Sequence, residues 1–128
     1  MKKLLKIAVF VLLAITSVNA NAAGAYDGIW QVNQNPGIVI SIHENNGTVV
    51  AFVLDNKYKG FDTILGALNG NTAIASSLDN YSVTSYSYKV VFTSLTTMYM
   101  EQLSCRPLYT GNTCYWPNGT IINASKIF

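Results

Sequence analysis

Turn signals recur along this chain at short intervals, and no stretch between them keeps a helical period. Asn45-Asn46-Gly47, Asn69-Gly70-Asn71 and Pro117-Asn118-Gly119 are the clearest. Asn and Gly accept the positive φ angles of tight hairpin turns, so each marks a reversal of the chain. Runs of apolar or alternating residues fill the gaps, with a turn roughly every 8–12 residues, the rhythm of an all-β sandwich or barrel.

The runs predict strands over Tyr26 to Val32, Ile38 to His43, Thr48 to Leu54, Phe61 to Leu68, Thr72 to Leu78, Ser82 to Phe92, Thr96 to Cys105, Tyr109 to Trp116 and Thr120 to Phe128. The alanines of Thr72 to Leu78 also suit one or two helical turns. In Ile38 to His43, Ile38, Ile40 and Ile42 share one face; in Ser82 to Phe92, Tyr86, Tyr88, Val90 and Phe92 do the same. Eight or nine strands joined to their sequence neighbours predict a small antiparallel up-and-down (meander) β-barrel, rather than a Greek-key sandwich. Thr48 to Leu54 is apolar on both faces, so its outer row calls for a cover: a terminal segment or a second copy in a homo-oligomer.

The N-terminus reads as an export signal. Lys2, Lys3 and Lys6 precede an apolar core from Ile7 to Ile15, and Ala20-Asn21-Ala22 supplies a small-residue cleavage site. The expected organisation is a signal peptide over residues 1–22 and one β-barrel domain over 23–128. The short Lys-rich start suggests a bacterial periplasmic or secreted protein, in contact with the membrane only during export. The whole chain has 8 basic and 6 acidic residues, but three of the lysines leave with the signal. The remainder is slightly acidic, which argues against nucleic acid as a partner. Cys105 and Cys114 are the only cysteines. In an oxidising compartment they are expected to form a disulfide, since neither C-x-x-C spacing nor a metal-binding set accompanies them.

Gly28-Ile29-Trp30 lies on the first predicted strand. It resembles the G-x-W of the calycin group, the lipocalins and avidin-like barrels, whose Trp closes one end of an eight-stranded meander. Pro36-Gly37 leading to Asn46-Gly47, and Leu65 to Asn71, resemble the hairpins of such barrels in layout. The resemblance implies a barrel with Trp30 as a packed structural residue, and no binding residues are carried over from it.

Catalytic chemistry has little to stand on. His43 is the only histidine, and no nucleophile elbow accompanies it. Asp27, Glu44, Asp55, Asp62, Asp79 and Glu101 are scattered; Asp55, Asp62 and Asp79 read as turn residues that cap their own backbone. No cofactor or metal is expected, and the chain reads as no enzyme. The tyrosines carry more information, since Tyr offers a flat apolar face and a polar tip. Two surfaces follow. Trp30, Tyr86 and Tyr88, with Ile38, Ile40 and Phe52, would line a barrel interior that takes an apolar or amphipathic small molecule. Tyr109, Tyr115 and Trp116, around the cysteines, would form an outer surface for a polysaccharide or protein partner of the cell envelope. A miniature outer-membrane barrel is disfavoured, because such strands need about 9–11 residues with an outward apolar row throughout, and Asn123 and Lys126 interrupt the last one.

Overall fold

Eight antiparallel strands follow one another around a closed barrel, each hydrogen-bonded to its neighbours in sequence and the last to the first. The structure is a computed structural model and describes residues 24–56, 60–78 and 84–128. The expected signal segment, Tyr58, Tyr81 and the Asp79-Asn80 turn lie outside the described residues. The strands are β1 (Gly28–Val32), β2 (Ile38–Asn45), β3 (Thr48–Asp55), β4 (Gly60–Asn69), β5 (Thr72–Ser77), β6 (Thr84–Phe92), β7 (Thr97–Pro107) and β8 (Ile121–Lys126). Closure comes from β1 against β8, with Trp30 opposite Lys126 and Val32 opposite Ala124. The meander expected from the turn rhythm is the architecture observed, and the alanine-rich Thr72 to Ser77 is a strand paired on both sides.

The turns at one end are as tight as their sequence dictates. Asn46 and Gly47 have φ of 50° and 78°, the double positive φ of a type I′ turn, so Asn45 pairs directly with Thr48. At the next hairpin Gly70 has φ of 63°, the first central position of a II′ turn, and Asn69 pairs with Thr72.

Alternation sorts the side chains. Ile38, Ile40 and Ile42 of β2, Val49 and Ala51 of β3, Val90 and Phe92 of β6, and Met98 and Met100 of β7 point inward and are buried. The interior is a single apolar cluster built from every strand. β3 is apolar on both faces, as its sequence requires. Its outer row includes Phe52 and Leu54, which are exposed beside exposed Phe61 and Leu65 of β4. Phe52 was expected in the barrel interior; it shares the phase of Leu54, and the pleat turns it outward.

Two further expectations are corrected. Tyr109 to Trp116 is not a strand: β7 ends at Pro107 and the chain runs irregularly until β8. The Cys105–Cys114 disulfide, with Cα atoms 6.0 Å apart, folds this stretch back on β7 instead of letting it extend. Asp62 is not a turn residue. It lies inside β4, paired across to Val53, in the same phase as buried Ile64.

A β-bulge completes the layout. Ser87 pairs with Ser104 while Tyr88 pairs with Gln102, leaving Leu103 as the extra residue on β7. The insertion reverses the phase of everything after it. Gln102 points inward with Met98 and Met100, and simple alternation would then send Cys105 outward. The bulge returns Cys105 to the inner side, opposite Tyr86.

Candidate functional site

The interior is filled at one end and hollow at the other. At the filled end Trp30 is 0% exposed. Its ring packs at 5.6 Å against Phe92, and Phe92 stacks at 3.9 Å on Tyr26 from the segment before β1. The Trp30 indole N–H donates to the Tyr26 carbonyl at 3.1 Å, which satisfies the one polar atom of the indole. Lys126 Nζ stands 5.5 Å from the centroid of the same ring, a cation–π distance. Trp30 is therefore the plug of the closed end, the role implied by the calycin resemblance. It does not line the cavity above, so the expectation that it touches ligand is replaced by this structural one.

Above the plug the barrel opens into a cavity of about 600 Å³, within the range of roughly 300–1,000 Å³ typical of small-molecule sites. Part of its wall is apolar and includes Ile38, Ile40, Ile64 and Met100. Polar groups gather on other strands of the same wall. The Tyr86 hydroxyl is hydrogen-bonded to the Asp62 carboxylate, and the Tyr86 backbone N–H donates to Ser77 Oγ at 3.0 Å. The Tyr88 hydroxyl donates to Gln102 Oε1 at 3.3 Å, and Gln102 is only 2% exposed. The two tyrosine rings meet edge to face at 5.4 Å. Burial first, and the Asp62 carboxylate second, push both phenols above the ordinary tyrosine range. They remain neutral hydrogen-bonding groups through neutral pH.

The segment after β7 forms a lid. Gly111, Asn112, Thr113, Tyr115 and Trp116 all border the cavity, and the disulfide ties the segment to β7 at its wall. Tyr115 and Trp116 pack edge to face at 4.4 Å. Asn35 Nδ2, from the β1–β2 connection, donates to the Tyr115 hydroxyl at 3.1 Å, which pins the lid to the neighbouring loop of the rim. Tyr109 is 66% exposed and does not border the cavity. The two predicted surfaces are thus largely one place: Tyr86 and Tyr88 form its wall, Tyr115 and Trp116 its lid, and Tyr109 stands outside.

Sequence reasoning missed Asp62 and Gln102. A signal existed for both, since Asp62 shares a strand phase with Ile64, and Gln102 shares one with Met98 and Met100. His43 lies at the far end of β2, 68% exposed, with Nδ1 2.9 Å from Asp27 Oδ2. Asp27 also accepts the Glu44 backbone N–H at 2.6 Å, so it clamps the segment before β1 to the edge of β2. This histidine–carboxylate pair lies towards the closed end of the barrel, and neither member lines the cavity. Among the described residues no three His, Cys, Asp or Glu side chains are gathered for a metal ion. No protein-family model, curated protein or solved structure matches this chain.

Proposed function

We propose that this chain is an exported, non-enzymatic binding protein that holds an apolar or amphipathic small molecule in the open half of its barrel. The observation that carries this reading is the uneven interior. The closed end is packed around Trp30, while the other end leaves about 600 Å³ between an apolar wall and a rim of hydrogen-bonding groups. Well-packed domains leave few voids larger than a water molecule, so a hollow of this size under a cross-linked lid is suited to an occupant. The disulfide accords with an oxidising compartment, and with the basic-then-apolar N-terminus it supports the periplasm or the medium of a bacterium. A calycin-like membership is part of the same proposal, supported by the eight-stranded meander and the plugging Trp30.

Native mass spectrometry of protein isolated gently from its export compartment tests the reading. The expected result is a reproducible added mass on the native protein that denaturation removes. A polypeptide of bare mass that also binds no member of an amphiphile panel overturns it. The second reading, a polysaccharide or protein partner recognised through the Tyr-rich surface, is favoured by the exposure of Tyr109. Tyr109→Ser separates the two, because Tyr109 is the one member of that group outside the cavity.

A further inference from the structure

We infer that the molecule held in the cavity is a cation, an alkyl or aryl amine whose ammonium group meets Asp62 while its apolar part lies against Ile38, Ile40 and Met100. The inference rests on the small-molecule reading above and names the chemistry of its ligand. Among the described residues, the cavity lining carries two carboxylates, Asp55 and Asp62, and no lysine, arginine or histidine. Asp62 is half-buried on β4 and its polar neighbour there is the Tyr86 hydroxyl. That hydroxyl satisfies a lone pair but brings no positive charge. A carboxylate drawn out of water without a counter-charge is costly, and the cost falls when a cation arrives with its own N–H donors.

The surroundings favour the same class of ligand. Tyr86, Tyr88 and Trp116 border the cavity, and aromatic faces attract a cation that has left its hydration shell. A fatty acid would bring its own negative charge up to the Asp62 carboxylate. A neutral amphiphile would gain the apolar wall and nothing from the charge.

Calorimetric titration of the disulfide-bonded protein with decylamine, decanol and decanoate tests this, since the three share a chain and differ in head group. Decylamine should bind tightest, decanol roughly tenfold more weakly, the scale of one charge-assisted contact, and decanoate more weakly still. Asp62→Asn should abolish the preference for decylamine over decanol. Asp55→Asn should give a smaller loss, and it serves as the test if Asp62→Asn does not fold. Equal affinities for the three, or decanoate binding tightest, would overturn the cation inference and leave the small-molecule reading standing. Failure of all three to bind overturns both.

Discussion

The two ends of the barrel are built from the same strands but by different rules. At the closed end the connections are minimal: Asn46-Gly47 and Gly70-Asn71 are two-residue turns, and the β6–β7 turn is cross-linked by Thr93, Ser94 and Thr97 hydroxyls. Beneath them Trp30, Phe92 and Tyr26 fill the interior, and the apolar void bordered by Phe92 is only about 20 Å³. At the open end the connection after β7 runs from Pro107 to Ile121, the side chains inside are Tyr, Gln and Asp, and a disulfide does what packing does below. The difference teaches where each end draws its stability. The closed end is held by burial of large rings, and the open end by one covalent bond and a handful of polar contacts, which leave a hollow between them.

The sharpest way to break this division is to remove the plug. Trp30→Ala should lower unfolding stability by about 3–5 kcal/mol, the usual cost of deleting a buried aromatic side chain. Thermal unfolding followed by circular dichroism reads this as a large drop in midpoint. Trp30→Phe keeps most of the fill and should cost less. In either variant the folded fraction should bind ligand with unchanged affinity, because Trp30 does not line the cavity; a parallel loss of affinity would show that the two ends are coupled. The disulfide comes next. Cys105→Ser with Cys114→Ser should cost about 2–3 kcal/mol in the chain-entropy model, less than the plug, and here ligand affinity should fall as well because the lid is released. Denaturant melts paired with a ligand titration check both halves of that expectation, and affinity that survives the double substitution would show that the Asn35–Tyr115 contact holds the lid by itself.

Legibility in the sequence divides along the same line. The closed end could be read because its devices are local. A Gly at a required positive φ fixes a turn, two adjacent turns fix a register, and alternation then sets which face of β2 or β6 is buried. Trp30 was expected to be packed through the G-x-W resemblance, while its expected place in a ligand wall was not observed. The open end could not be read as well, because its devices act across the fold. One inserted residue, Leu103, reverses the phase of β7 and turns Cys105 inward, and nothing in the local sequence announces a bulge. The lid stretch has strand-like composition in Tyr109 to Trp116 but is bent back by a bond to a residue outside it. Asp62 looks like a turn carboxylate beside Gly60. Only the register against β3 places it two residues into a strand and aims it at Tyr86.

The smallest effect, and the one that probes the open end alone, is in alkaline titration. In the unfolded chain tyrosine ionises near pH ~10. Burial and the Asp62 carboxylate hold Tyr86 and Tyr88 above that range in the folded barrel. Below pH ~10 each is protonated in both states and the stabilisation is fully present. As the pH rises past that point the unfolded chain releases protons that the folded chain keeps. The folded state then binds more protons, and stability declines with pH, by up to about 1.4 kcal/mol per pH unit for each tyrosine. Tyrosinate absorbance should therefore show two residues lagging behind the ordinary range until the barrel unfolds. Asp62→Asn removes the second cause of the shift and leaves the first, so the lag should shorten without vanishing. If it disappears entirely, the carboxylate and not burial dominates the mouth. If it is unchanged, Asp62 does not bear on the tyrosines, and the polar rim would have to be assigned to Gln102 and Ser77 instead.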